Sequence, residues 1–276
     1  MGCSQSQNTV TPVKSLKPGQ TDVNSGKKVN KLLSRDEVEE ICKKYGFKID
    51  AQKIDLSFKH LGDDGAEEIA QFIQFSKNIK HVNLKSNSLG REAAEHLGRA
   101  LQLNKSLEIL ELQSNELGYE GSLILFQALR TNNTTLKELN LEFNSIGEDG
   151  GVAISQQLNG MKGGLIKLCL GSNDLKDRGV LELIKVLTSQ GSKIQEVKLQ
   201  YNEVTDSAGD SLCVLFEGLF TPLGASMKKT MTQKEKEKLL AQIPIKRIDL
   251  SMNQFSSKLE MRLEKALEAT MLSYKL

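Results

Sequence analysis

Between residues 52 and 267 one phrase, L-x-x-L-x-L-x-x-N-x-L followed by a helix-like stretch, recurs seven times, and this period constrains the fold more than any other feature of the chain. Its sixth position falls on Leu56, Leu84, Leu112, Leu141, Leu170, Leu199 and Leu250. The steps between them are 28, 28, 29, 29, 29 and 51 residues, so six copies run nearly in phase and an insertion of about 22 residues displaces the seventh. Within a copy, apolar residues alternate with period two and then switch to period 3.6, which predicts a short strand, a turn and a helix. In the third copy Leu107, Leu110 and Leu112 are expected to point inward from the strand and Asn115 to mark the turn. Leu117, Leu123, Phe126 and Leu129 then form the inner face of the helix. A unit of this size cannot bury its apolar face alone, so the copies must stack around one elongated core.

The asparagine column, Asn87, Asn115, Asn144, Asn173, Asn202 and Asn253, is read as structural, because a side-chain amide has both donors and an acceptor for turn groups buried between stacked repeats. The first copy carries Lys59 there, and at a terminal repeat water is expected to replace the missing hydrogen bonds. A small residue recurs after the turn, as Ala66, Gly121, Gly151 and Ala208, where a helix must approach its neighbour closely. The period of 28 to 29 residues and phrases such as "LGDDGAEEIAQFI" resemble the ribonuclease-inhibitor-like leucine-rich repeats. The resemblance implies an α/β solenoid of about seven repeats, a horseshoe with parallel strands on the concave side and helices on the convex side. It implies nothing about activity.

The ends read differently. Residues 1–30 are rich in Ser, Gln, Asn, Thr, Lys and Gly and nearly devoid of large apolar residues, so they are expected to form a disordered tail. Residues 31–47 are expected to cap the open end of the first repeat with a helix over about 35–45: Ser34 and Glu37 make a capping box, and Val38, Ile41 and Cys42 follow at helical spacing before Gly46. The repeat domain then runs over 48–276, with the insertion at about 220–243. There Thr232 and Glu235 suggest a second capping box before Pro244, and Lys228, Lys229, Lys234, Lys236 and Lys238 outnumber Glu235 and Glu237.

Composition excludes several classes. A formal net charge of +2 argues against a nucleic-acid binder. Cys3, Cys42, Cys169 and Cys213 lie far apart without C-x-x-C spacing, which points to neither a disulfide framework nor a zinc site, and suits a reducing compartment. The chain has no apolar run long enough to span a bilayer and no apolar core of a secretory signal near its start. No cofactor or metal is implied, and a monomer is expected.

The strongest functional signal is the opening Met-Gly-Cys-Ser-Gln-Ser. With Met1 removed, Gly2 is a myristate acceptor, Ser6 supplies the hydroxyl residue of that motif, and Cys3 beside it is a palmitoylation candidate. The pairing matters, because one myristoyl chain gives only marginal membrane binding and two make a stable anchor. Lys14, Lys17, Lys27, Lys28 and Lys31 would favour an anionic cytosolic leaflet, plasma or ciliary.

The second candidate is the strand face. The residues between the paired inward leucines are Asp55, Asn83, Glu111, Asn140, Cys169, Lys198 and Asp249, and two positions earlier stand Lys53, His81, Ile109, Glu138, Lys167, Glu196 and Arg247. Charge alternates along both rows, so steering of a highly charged ligand is not expected. Just past the strands lie Phe58, Phe143, Tyr201 and Met252, either folded over their own turns or standing out as interface anchors, with Glu142 beside them as a rim group. A protein partner on this face would meet Glu111, Glu138, Asn140, Glu142, Phe143, Lys167, Lys198, Tyr201 and Arg247.

Catalysis finds no support. His60, His81 and His96 fall in a turn, a strand and a helix and do not converge. No phosphate loop, nucleophile elbow or H-E-x-x-H is present, and Gly160, Gly163 and Gly164 read as helix closure and chain reversal. Cys169 has no histidine on its own or adjacent strands to generate a thiolate. The Ran GTPase-activating protein is similar in its ribonuclease-inhibitor-type repeats. Its family, however, carries more of them and an acidic C-terminal tail, whereas this chain ends "ALEATMLSYKL" and offers only Arg247 as an arginine on the strand face. The expectation is a non-catalytic adaptor at the cytosolic face of a membrane. Its alternatives are a structural component of a ciliary or cytoskeletal assembly and, behind that, a Ran-type GTPase activator.

Overall fold

The computed structural model describes residues 33–189, 191–218, 244–268 and 273–276. Among them eight helices alternate with eight three-residue strands. The helices are α1 (Arg35–Tyr45), α2 (Gly62–Phe75), α3 (Arg91–Leu103), α4 (Gly118–Asn132), α5 (Gly147–Leu158), α6 (Lys176–Leu187), α7 (Asp206–Gly218) and α8 (Ser257–Glu268). The strands are β1 (Lys53–Asp55), β2 (His81–Asn83), β3 (Ile109–Glu111), β4 (Glu138–Asn140), β5 (Lys167–Cys169), β6 (Glu196–Lys198), β7 (Arg247–Asp249) and β8 (Ser273–Lys275). All eight strands form one parallel sheet in chain order. This is the α/β leucine-rich repeat solenoid that the period predicts. Adjacent strands stand about 4.8 Å apart while packed helices need about 8–10 Å, so the stack bends with its strands inside. Among the described residues no helix is long and apolar enough to cross a membrane.

The middle residues of the strands, Ile54, Val82, Leu110, Leu139, Leu168, Val197 and Ile248, pair in register and are buried, as is the leucine column from Leu56 to Leu250. In the third copy, Leu107, Leu117, Leu123, Phe126 and Leu129 are buried, as their spacing predicts. The asparagine column works as a ladder. Asn87 Nδ2 donates to Leu56 O of the preceding repeat (2.8 Å) and to Leu84 O of its own (3.0 Å). Its Oδ1 accepts from Lys59 N (2.9 Å) and Leu61 N (3.3 Å). Asn115 accepts in the same way from Asn87 N and Leu89 N. Each asparagine therefore serves the repeat before it. This corrects the expectation that water fills in around Lys59: the first turn's N–H groups are satisfied by Asn87, and among the described residues α1 rather than a repeat precedes β1.

The small residues after the turn stand where helices pack closely: Ala66 and Ala208 are buried, and a Cβ on Gly121 would lie 3.3 Å from Ala94 Cβ. Gly151 in α5 faces Gly179 in α6, and a Cβ on Gly151 would lie 2.9 Å from Gly179 Cα, whereas Gly150 faces Ile146 and Tyr119. Helices α5 and α6 approach backbone to backbone there. Gly160, at φ +72°, follows the end of α5, but Gly164 is small for a different reason: a Cβ there would meet the Thr134 carbonyl of the neighbouring repeat at 2.4 Å.

Helix α1 closes the N-terminal end. Ser34 Oγ accepts from Glu37 N (3.3 Å) and Glu37 Oε2 accepts from Ser34 N (2.7 Å), while Val38, Ile41 and Cys42 are buried. Phe47 sets its ring edge-on to Phe72, 4.8 Å between centroids. At the other end the chain adds a strand that the seven-fold reading lacks. β8 pairs with β7, placing Tyr274 beside Ile248, and Leu276 packs on the core. The signal was an alternation of Tyr274 and Leu276, in which an aromatic replaces the usual leucine. Residues 1–30, with Gly2 and Cys3, and the insertion at about 220–243 lie outside the described residues.

Candidate protein-binding face

Strand pairing brings Lys53, His81, Ile109, Glu138, Lys167, Glu196 and Arg247 into one row and Asp55, Asn83, Glu111, Asn140, Cys169, Lys198 and Asp249 into another. Much of their polarity is spent internally. Lys167 Nζ lies 3.5 Å from Glu138 Oε2 and 3.7 Å from Glu196 Oε1, and Arg247 Nη1 lies 3.3 Å from Glu196 Oε2. Burial alone would lower the Lys167 pKa, but Glu138, with Cys169 and Glu196, outweighs it and holds the ammonium above the usual lysine value. At the N-terminal end Glu111 Oε1 sits 2.5 Å from His81 Nε2, and Glu111 Oε2 accepts from Gln113 Nε2 (3.0 Å). Burial pushes the Glu111 carboxyl up, and those two hydrogen bonds more than reverse the shift.

The second row is partly a turn device. Asn140 Oδ1 accepts from Glu142 N (2.9 Å), as Asn83 Oδ1 does from Lys85 N and Asp249 Oδ1 from Ser251 N. These short polar side chains hold the exit from the strand. Cys169 is buried, and desolvation, reinforced by Glu142 and opposed by Lys198 and Lys167, pushes its thiol to about 12. A thiol held protonated is no nucleophile at neutral pH. The histidines stay apart: His60 is in a turn, His81 pairs with Glu111, and His96 Nε2 is 3.9 Å from Glu67. Among the described residues no three metal-ligating side chains converge.

Three residues past each strand start a different kind of row. Phe58, Ser86, Ser114, Phe143, Ser172, Tyr201 and Met252 all adopt left-handed backbone, with φ from 54° to 59°. The residue type is unconstrained by packing, since serine suffices in three repeats. Yet Phe58, Phe143, Tyr201 and Met252 are 63%, 58%, 51% and 65% exposed. The rings project rather than fold over their turns. Bulky side chains are uncommon in this backbone region, and nothing in the core requires them there. Sequence reasoning found these residues but not their shared conformation, which only glycine or asparagine would have advertised.

It also missed two structural devices. Asn104 and Asn133 form a second ladder where helices end, Asn104 Nδ2 donating to Ile73 O (2.6 Å) and Asn133 Nδ2 to Leu101 O (2.7 Å). Acidic residues in one helix's first turn cap the next: Asp63 Oδ1 accepts from Gly90 N (2.7 Å) and Asp177 Oδ1 from Thr205 N (2.6 Å).

The family model described as Leucine Rich repeat matches residues 103–121 and 132–155, which include β3 and β4. Among solved structures the chain is similar to the leiomodin-1 actin-binding site 2, at 20% identity and a TM-score of 0.40, over 48% of this chain and 76% of that one. No curated protein matches it.

Proposed function

We propose that this protein is a non-catalytic adaptor that holds another protein against its strand face and is anchored by N-terminal acylation to the cytosolic side of a membrane. The observation that carries the protein-binding half is the exposed row of Phe58, Phe143, Tyr201 and Met252, at a position where serine satisfies the fold. Large, rigid side chains exposed at the edge of a rigid sheet have the properties of interface anchors. Glu142, Lys198 and Arg247 lie beside them and supply a polar rim, and the internally paired Glu111, Glu138, Asn140 and Lys167 form its floor. The membrane half rests on Gly2, Cys3 and the lysines that follow them.

Two measurements test this reading. Expressed at full length in a eukaryotic cell and fractionated at two salt concentrations, the wild type should sit on membranes and the Gly2→Ala variant should be soluble; a soluble wild type sinks the membrane half. Proximity labelling should then lose the same neighbours in the Phe143→Ala, Tyr201→Ala double variant. If those neighbours persist there and vanish only on deletion of residues 224–242, the protein is better read as a component of a large assembly docked through its insertion.

A further inference from the structure

Building on the reading of this face as a protein-binding surface, we propose that Phe143 and Tyr201 each receive a cationic side chain, lysine or arginine, from one extended segment of the partner. The template is within the molecule. In the first repeat Phe58 N donates to Lys85 O of the second (2.9 Å), and the Lys85 ammonium sits 5.5 Å from the centre of the Phe58 ring. This is a cation–π contact between two residues fixed by one backbone hydrogen bond. The same bond recurs at the other two rings: Phe143 N donates to Gly171 O (3.1 Å) and Tyr201 N to Ser251 O (3.2 Å). The position that carries lysine beside Phe58 therefore carries no side chain beside Phe143 and a hydroxymethyl beside Tyr201. Both rings are more than half exposed.

The surroundings favour positive charge. Two residues past Ser172 and Tyr201, Asp174 and Glu203 are exposed, while the turn of Phe143 carries Ser145 there. Over Gly171 lies the amide of Gln200, whose Nε2 donates to Glu142 Oε1 (2.9 Å) and whose Oε1 accepts no hydrogen bond from the protein. That amide fills the space over Gly171 with its oxygen buried, and the exposed Phe143 ring is what this site leaves open to a ligand. Of the nearby cations, Lys167 and Arg247 are paired with Glu138 and Glu196, Lys198 ends β6, and Lys176 lies past Asp174. In the row of left-handed positions Ser172 alone separates Phe143 from Tyr201.

Spacing limits the ligand. Two repeats at the strand separation of about 4.8 Å put the ring positions about 10 Å apart. A polyproline II segment advances about 3.1 Å per residue and repeats its face every third residue, so cationic residues at i and i+3 match the gap.

The test uses the full-length protein and fluorescein-labelled Gly-Arg-Pro-Pro-Arg-Gly, read by anisotropy, beside the same peptide with both arginines replaced by leucine. The arginine peptide should bind at least about fivefold more tightly than the leucine peptide, and lose at least about fivefold in the Phe143→Leu, Tyr201→Leu double variant. Ser251→Lys should weaken it as well, by placing over Tyr201 the cation that Lys85 places over Phe58. Equal binding of the two peptides would overturn the cationic proposal while leaving an apolar protein-binding face intact. Binding untouched by the double variant or by Ser251→Lys would also overturn it. Tighter peptide binding in Lys27→Ala, Lys28→Ala, Lys31→Ala would assign the rings to the protein's own amino-terminal lysines and overturn a partner as the occupant.

Discussion

Two neighbouring residues in the same turn, Phe143 and Asn144, follow opposite rules. Asn144 is fully buried, and its Nδ2 donates to Leu112 O (2.9 Å) and Leu141 O (3.1 Å) while its Oδ1 accepts from Leu117 N (3.3 Å). The column is asparagine in every repeat that has a repeat before it. Phe143 stands in a column that holds serine in three repeats and a large side chain in four, the large ones exposed and the serines half-buried. One column is dictated by the backbone groups it must pair; the other is left open by the fold. In a solenoid the open column is therefore where selection for a partner can be read, and the invariant column carries no functional information however polar it looks.

This contrast breaks most readily at Asn144. Asn144→Ala would leave the buried Leu117 N–H without its partner, at about 1–3 kcal/mol, and take one of two donors from the Leu112 and Leu141 carbonyls, which keep Asn115 Nδ2 and Asn173 Nδ2; with about 0.5–1.5 kcal/mol for each of those two bonds, the loss should be about 2–5 kcal/mol. Chemical denaturation would measure it. A loss under about 1 kcal/mol would mean that water reaches the turn and that the column is not structural. The next effect is at the helix layer. Gly151→Ala would put its Cβ 2.9 Å from Gly179 Cα, where only backbone is available to give way. Overpacking of this kind costs about 1–3 kcal/mol, partly offset by the gain of about 1 kcal/mol in helix propensity. The melting temperature should fall, and a rise would show that α5 and α6 separate freely.

The smaller effects belong to the open column. Phe143→Ser restores the residue type that Ser114 and Ser172 show to be compatible with the same backbone, and stability should change by less than about 0.5 kcal/mol. Loss of partner contacts without loss of stability is the pattern expected of an anchor; a drop comparable to that of Asn144→Ala would assign the ring to the fold.

How far these features can be read in the sequence follows from where their causes lie. Leu56 to Leu250, Asn87 to Asn253 and the capping box at Ser34 and Glu37 announce themselves because each satisfies a local rule repeated at fixed spacing. Tyr274 and Leu276 repeat the strand rule once, with an aromatic in place of leucine, and the last strand was overlooked. Asn104 and Asn133 serve carbonyls 28 to 32 residues away, a relation invisible until the repeats are stacked. For the candidate site, residue order along the strand rows was legible, because register follows from the period. The pairings were not: nothing in the order of Glu138, Lys167, Glu196 and Arg247 says that each cation will lie between or beside the acids of adjacent strands. The left-handed backbone at Phe58, Phe143, Tyr201 and Met252 was hidden for a related reason, since those residue types do not signal positive φ.

The smallest expected effect is the most discriminating about the ladder. Lys59→Asn installs the column's consensus residue in the one repeat that lacks it. If asparagine stabilised a turn by pairing its own repeat alone, this substitution would contribute like the others. In the structure half of each asparagine's work is done for the repeat before, and α1, not a repeat, precedes β1. The N–H groups of the first turn are already taken up by Asn87. Side chain 59 is exposed, so a new amide would exchange water for at most the carbonyls of its own turn, a change of less than about 0.5 kcal/mol. A gain above about 1 kcal/mol would show that the ladder acts within repeats and that Asn144→Ala should be far milder than its stacked geometry implies.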